Sequence, residues 1–252
     1  MMKNILLLLC LAFGLNSYSA RTIHIFVALC DNVNQGIVKV PEKIGNGQDP
    51  KNNLYWGCGY GVKTFFTNAA EWKLVKKYTN PGGDILERLL FKHKTTDTWL
   101  LADAYDGAKI KQCTIDFLKS TAGDFSCAIS TDSLQLQFGG AANLVAYCGH
   151  DGLMDFSLNE YPVAKNNTKR DAIILACFSR SYFTPALKKS GANPLLWTSH
   201  LMCPEAYTIK NAIDGWILNE TAEQIRTRAA QAYSKYEKCS EKAARSLLVT
   251  GW

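Results

Sequence analysis

Several patterns that identify common functional classes are missing from this sequence. It contains no Gly-x-Ser-x-Gly motif, which argues against a serine hydrolase of the α/β-hydrolase type. The glycines within Gly45–Gly47 lack the spacing and the following Lys-Ser/Thr of a phosphate-binding loop. No basic run is interleaved with aromatic residues, so we expect no binding to nucleic acid. Paired Cys/His motifs with zinc-site spacing are also absent, and we therefore expect no metal ion and no other cofactor.

Long apolar runs are scarce, and the one that exists lies at the amino terminus. A short basic start, Met1–Asn4, precedes the apolar stretch Ile5–Leu15, and small and polar residues follow. This order predicts a secretory signal peptide over residues 1–20, cleaved after Ser19 or Ala20, because the run is short for a membrane span. An uncleaved anchor is the alternative. We expect a secreted or periplasmic protein without membrane contact after cleavage.

Internal repeats, low-complexity tracts and Pro/Ser-rich linkers are absent as well, which favours a single domain over residues 21–252. The chain has 252 residues, of which 47% are hydrophobic and 20% charged. Such a composition is typical of a globular protein with one sizeable core. The formal net charge of +6 is mild and spread along the chain, and it indicates no particular partner.

Cysteine, in contrast, is plentiful. An exported protein with this cysteine content can form disulfides, and we expect one or two at most, with no assigned pairs, because the spacings show no compact framework. Three of the cysteines, Cys30, Cys148 and Cys177, each close an apolar strand-like run. That position is unusual for a structural disulfide.

Alternating strand-like and helix-like segments indicate an α/β fold. Apolar, β-branched segments predict strands at Thr22–Leu29, Trp72–Tyr78, Thr98–Tyr105, Asn143–Cys148, Ala172–Cys177 and Pro194–Ser199. Helical spacing predicts helices within Leu54–Trp72 and at Ala108–Ser120, Ser181–Gly191, Pro204–Asn219 and Glu220–Val249. This alternation predicts a mostly parallel central sheet with helices on both faces, in a three-layer sandwich.

Two of the predicted strands stop at a chemically useful side chain. The stretch Asn143–Gly152 (NLVAYCGHDG) ends with His150 among glycines, and Asp171–Arg180 (DAIILACFSR) carries Cys177 at the corresponding place. A thiolate attacks carbonyl carbons, and an adjacent histidine can accept its proton and later protonate the leaving amine. The carboxyl ends of parallel strands meet at one edge of a sheet, so we expect both side chains to face one crevice. Taken singly, a turn histidine and an inert buried cysteine are the simpler interpretation.

These two strand ends, YCGHDG and IILACFS, resemble those of the caspase-like (clan CD) cysteine peptidases, which include caspases, legumains, gingipains and clostripains. The segments LLADAYDGAKIKQCTIDFL and LLWTSHLMCPEAYTIKNAI are similar to neighbouring parts of that family, and the resemblance covers roughly residues 22–220. It implies a caspase-like fold and a cysteine endopeptidase that acts on peptide or protein substrates. Cys177 matches the family's nucleophile, and His150 matches its general base.

The chain departs from the family where His-Gly becomes His150-Asp151-Gly152. The resemblance implies that backbone N–H groups near Asp151, Gly152 and Cys177 hold the oxyanion. The inserted carboxylate of Asp151 either repels that oxyanion or takes part in substrate recognition.

The resemblance also implies that the substrate's P1 side chain is recognised near the end of the first strand. Asp31 lies there and would favour a basic P1 residue, although an Asx-turn that closes the strand is the preferred interpretation. Arg180, shortly after Cys177, is a second candidate for substrate contact.

Two other functions stay open: a catalytically inactive caspase-like domain that binds a partner in the same crevice, and an exported enzyme of another class that uses Asp31 or Asp103. The oligomeric state is not predicted.

Overall fold

The computed structural model of the chain describes residues 20–131 and 134–252. The predicted signal peptide lies outside the described residues, apart from Ala20 at its end. Within them, no helix combines the length and the apolar character needed to cross a membrane.

An eight-stranded sheet runs through the molecule. The strands of the structure are β1 (Arg21–Ala28), β2 (Trp72–Gly82), β3 (Ile85–His93), β4 (Thr98–Tyr105), β5 (Ser126–Ser130), β6 (Gln135–Gly139), β7 (Leu144–Cys148), β8 (Asp171–Leu175), β9 (Asn193–Thr198) and β10 (Leu248–Val249). The order in the sheet is β10-β9-β8-β7-β1-β4-β3-β2, and β5 and β6 form a separate hairpin. The five strands from β9 to β4 are parallel, whereas β10, β3 and β2 pair antiparallel at the two sides.

Helices cover both faces of this sheet. Their bounds are α1 (Val62–Asn68), α2 (Ile110–Ala122), α3 (Ser179–Ser190), α4 (Ala206–Ile217), α5 (Ala222–Glu237) and α6 (Glu241–Leu247). Alternate residues of β1 explain the layering, because Ile23 and Ile25 pack in the core formed with α1, α4, α5 and α6, while Phe26 packs in the core formed with α2 and α3. The predicted three-layer α/β arrangement with a mostly parallel sheet is thus confirmed.

Burial on both faces explains why the central strands read as continuous apolar runs. All eight residues of β4 and all five residues of β7 are buried. Strands of a parallel sheet between two helical layers have no solvated face, and hydrophobic burial is worth roughly 25 cal/mol for each Å² removed from water. The strand pattern visible in the sequence is therefore a direct consequence of the fold.

A network of buried charged and polar groups lies where β1, β4 and β3 meet. The Asp103 carboxylate, fully buried, accepts hydrogen bonds from Arg88 Nε at 2.6 Å and from His24 Nε2 at 3.0 Å. The backbone N–H of Gly139 donates to His24 Nδ1 at 3.1 Å, so the ring carries its proton on Nε2. With its partners satisfied and no access to solvent, Asp103 is a structural residue, which argues against the alternative enzyme that would use it as a catalytic acid.

The sequence patterns missed β3, β5, β6 and β10 and misplaced some helix ends. Charged residues interrupt the apolar run of β3, where the buried Glu87 pairs with Lys63 and the half-buried Arg88 pairs with Asp103. At the carboxyl terminus, the single predicted helix Glu220–Val249 is divided into α5 and α6 because Lys238 adopts a left-handed conformation and Ser240 caps a new helix. Within the segment Leu54–Trp72, where a helix was predicted, only α1 is helical.

The cysteines form no disulfide in the part of the chain that the structure describes. The eight cysteines of residues 20–131 and 134–252 are free thiols, of which four are fully buried or nearly so among apolar side chains, namely Cys30, Cys113, Cys127 and Cys148. The one or two disulfides that the sequence left open therefore have no counterpart among the described residues.

Candidate functional site

A cavity of about 380 Å³ opens at the carboxyl edge of the sheet, and both His150 and Cys177 line it. The loop after β1 contributes residues from Gly36 to Val40, and the loop after β9 contributes residues from Leu201 to Glu205. Ligands of open α/β sheets bind at this edge, where loops rather than sheet side chains meet. The structure thus brings the two predicted reactive residues together in one crevice.

The register of β7 against β8 explains why His150 and Cys177 meet. Cys148 pairs with Leu175, so each reactive residue lies two positions beyond a paired residue of its own strand. Gly149 between strand and histidine has a φ of 153°, a conformation that favours glycine. The two side chains therefore leave adjacent strands at the same level of the sheet.

A tight turn then carries the chain from Cys177 into α3. Phe178 has a φ of 49°, which is rare for a residue with a bulky side chain, and its N–H donates to His200 O at 2.9 Å. The thiol lies against the next loop, since Met202 N donates to Cys177 Sγ at 3.4 Å. Cys177 is partly exposed and immediately precedes a helix amino terminus, a position that stabilises a thiolate.

Burial nevertheless acts against the thiolate. It raises the pKa of the Cys177 thiol above its ordinary value, and the Asp151 carboxylate acts in the same direction, while the hydrogen bond from Met202 opposes both. A thiol in this environment rests in its protonated form at neutral pH and needs a neighbouring base to react.

Asp155 is a functional candidate that the sequence reasoning missed. His150 Nε2 donates to Asp155 Oδ2 at 2.7 Å, and the backbone N–H of Gly36 donates to the same oxygen at 2.9 Å. The bond to the carboxylate holds the ring proton on Nε2, which leaves Nδ1 unprotonated in the neutral ring. No hydrogen bond to Nδ1 occurs among residues 20–131 and 134–252. In the sequence, the only indication of this role was an acidic residue five positions after the histidine. The 3₁₀ turn at 152–154 brings the Asp155 carboxylate back to the imidazole ring.

Backbone N–H groups are available beside the thiol. Within the described ranges, Asp151 N donates no hydrogen bond to another residue, and the Cys177 N–H contacts only its own thiol. Gly152 begins a 3₁₀ turn, whose first N–H has no partner inside the turn. Free amides next to a nucleophile are the groups that stabilise an oxyanion. Their presence agrees with the oxyanion site expected near Asp151, Gly152 and Cys177.

The Asp151 side chain is fully buried and does not line the cavity. Its Oδ1 accepts a hydrogen bond from Leu153 N at 2.9 Å, whereas its Oδ2 is buried without a partner. Burial raises the pKa of Asp151 to about 7, and the Asp155 carboxylate adds to the rise, against the hydrogen bond from Leu153. The expected contact between this carboxylate and a substrate therefore finds no support in the geometry, and a capping role takes its place.

We expect Asp151→Asn to flatten the pH dependence of stability. In the folded protein the Asp151 carboxyl stays protonated up to about pH 7, whereas in the unfolded chain it ionises near pH 3.8. The free energy of unfolding of the wild type therefore falls by about 4 kcal/mol as the pH rises from 3.8 to 7. The variant has no such titration. Urea unfolding of both proteins from pH 4 to pH 8 measures the difference.

Asp106→Asn is the matched control, since Asp106 also caps a 3₁₀ turn, through Ala108 N, but is not buried. It should keep the pH profile of the wild type. Parallel profiles for wild type and Asp151→Asn would contradict the assignment of this titration to Asp151.

The two candidate substrate contacts lie apart from the cavity. The buried Asp31 carboxylate accepts hydrogen bonds from Val33 N at 2.9 Å and Asn34 N at 3.1 Å, which is the Asx-turn preferred on the sequence. Gln48 also donates to it. Arg180 is exposed in the first turn of α3. Neither residue lines the cavity that holds His150 and Cys177, so a contact of either one with a substrate stays a prediction.

The fold and the site together define an α/β protein with a Cys, His and Asp cluster at the carboxyl edge of its sheet. Comparison with known proteins adds nothing further, since no family model, no curated protein and no solved structure matches this chain.

Proposed function

We propose that the protein is a cysteine endopeptidase of the caspase-like type, exported after removal of residues 1–20. The observation that carries the proposal is the shared cavity, in which Cys177 and His150 leave adjacent strands at the same level and Asp155 holds the imidazole. The resemblance of both strand ends to that family supports the same assignment of nucleophile and base.

In the proposed reaction, His150 Nδ1 takes the proton of Cys177 as the sulfur attacks the carbonyl carbon of the peptide bond. The backbone N–H groups of Asp151 and Cys177 hold the oxyanion that forms. His150 then gives its proton to the leaving amine, and a water molecule, activated by the same ring, hydrolyses the acyl-enzyme. Asp155 stabilises the imidazolium at each stage and touches no reacting atom.

His150 and Cys177 form no direct hydrogen bond in the described part of the chain. In the absence of substrate, hydrogen bonds between catalytic groups are often long and tighten only in the complex, so this separation agrees with the proposed mechanism. The raised pKa of Cys177 agrees with it too, because the thiol then loses its proton to His150 during attack rather than beforehand.

Alkylation of the thiols by iodoacetamide tests the pair before any substrate is known. We expect His150→Ala to slow the alkylation of Cys177 about tenfold or more at pH 7, because the variant has no base beside the thiol. Peptide mapping of the reduced protein after timed labelling gives the rate for each cysteine.

Cys203 supplies an internal control, since this exposed thiol lines the same cavity. Although the residue as a whole is exposed, partial burial of its sulfur and the Glu237 carboxylate raise its pKa to about 12, so its labelling should be slow and unaffected by His150→Ala. Equal rates for Cys177 and Cys203, with no effect of His150, would favour the inactive binding domain instead.

A further inference from the structure

The walls of the cavity beside Cys177 are predominantly apolar. Among the side chains that face it are those of Ile37, Val38, Val40, Leu54, Leu201 and Met202. A volume of about 380 Å³ falls at the lower end of the range for small-molecule pockets, and it accommodates one large side chain with part of its backbone. The size and composition of the cavity suit a single apolar group.

Two apolar side chains at this cavity are unusually exposed. Val38, in the loop after β1, is 92% exposed, and Leu201, in the loop after β9, is 67% exposed. Isolated exposed apolar residues are common, but here two of them come from opposite loops and line one crevice that also holds a thiol. A ligand between the loops would bury both.

The charged groups in the cavity wall do not favour an ionic ligand. Lys39 and Glu205 both line it, and their formal charges cancel. Burial raises the pKa of Glu205, and the Glu237 carboxylate acts in the same direction. Asp31 is the acidic residue expected to attract a basic P1 side chain. Its carboxylate accepts a hydrogen bond from Val33 N within the loop after β1.

We propose that this cavity binds a large apolar side chain, such as Leu, Met or Phe, of the P1 residue of a peptide substrate. The inference rests on the proposed peptidase function, which it extends to the substrate class. Transfer of a Leu or Phe side chain from water to an apolar site contributes about 1.5–3 kcal/mol, equivalent to roughly a tenfold to hundredfold preference.

Fluorogenic peptides that differ only at the P1 residue test this preference. With Leu, Phe, Lys and Asp at P1, we expect kcat/KM to be at least tenfold higher for Leu or Phe than for Lys or Asp. Val38→Ser should lower kcat/KM for the Leu peptide several-fold. Val33→Ser is the matched control, because Val33 is 87% exposed in the same loop but does not line the cavity.

The outcomes separate the inference from the function on which it rests. Cleavage with a preference for Lys that disappears in Glu205→Gln would overturn the apolar pocket and leave the peptidase intact. Equal cleavage of all four peptides would also overturn it.

Binding to Cys177→Ala, followed by fluorescence anisotropy of the same peptides, gives a readout without catalysis. Tighter binding of the Leu peptide without any cleavage by the wild type would support the pocket and refute the peptidase. Equal binding of all four peptides would refute the pocket.

Discussion

Cys177→Ala is expected to lower kcat for peptide hydrolysis by a factor of about 10³ or more. The variant lacks the sulfur that forms the acyl-enzyme, and only binding and the backbone N–H groups are left to act on the substrate. Hydrolysis of the preferred fluorogenic peptide by the purified variant gives the rate. Its thermal unfolding should match that of the wild type closely, because the side chain is partly exposed and contacts chiefly the backbone of Met202.

Cys239→Ala provides the comparison for this variant. It removes a partly exposed thiol that does not line the cavity, and activity should stay within about twofold of the wild type. Full activity in Cys177→Ala would point to an enzyme of another class. Loss of activity in both variants to the same extent would indicate damage to the fold rather than removal of a nucleophile.

Asp155→Asn is expected to lower kcat by about 10²- to 10⁴-fold, with little change in KM. An amide can donate a hydrogen bond to His150 Nε2 and so hold the ring in the wrong tautomer, with the proton on Nδ1, where it cannot accept one from Cys177. The imidazolium that forms during attack also loses its counter-charge. Steady-state kinetics from pH 5 to pH 9 measure both effects.

Gly36→Ala tests the contact between Asp155 and His150 through the loop after β1, which also binds the Asp155 carboxylate. A Cβ at this position would overlap Oδ1 of the Asp155 carboxylate, so that the carboxylate has to move away from the histidine. We expect a loss of about tenfold in kcat, smaller than for Asp155→Asn because the charge is kept.

Asp214→Asn is the control for charge removal, since Asp214 accepts a hydrogen bond from Lys210 at 2.8 Å and lies outside the cavity wall. If Asp155→Asn retained wild-type kcat, Asp155 would have no role in positioning the ring.

The layered fold and the two reactive positions followed from local patterns. The central strand β7 is apolar throughout, and β1 is apolar over most of its length, because both of their faces are buried, and this makes them visible without any knowledge of their partners. His150 and Cys177 stood out because each follows such a strand directly, and parallel strands end at a common edge.

Elements with buried charges were harder to recognise. Glu87 and Arg88 interrupt β3, and their burial depends on Lys63 of α1 and Asp103 of β4, which are distant in sequence. A pattern of polar and apolar residues cannot reveal a charge whose partner comes from another element. For the same reason Asp103, a tempting catalytic acid in the sequence, proved to belong to a satisfied network around His24.

The details of the site were decided by tertiary structure alone. A one-dimensional pattern does not show that the loop after β1 reaches the turn after β7, where Gly36 and His150 share one oxygen of Asp155. Nor does it show that the Asp31 carboxylate accepts hydrogen bonds from backbone N–H groups of its own turn. Which side chains lie in a crevice depends on how separate loops pack, and that packing is set by contacts between residues far apart in the chain. Local patterns therefore singled out His150 and Cys177, whereas packing decided which side chain orients the histidine and which residues line the cavity.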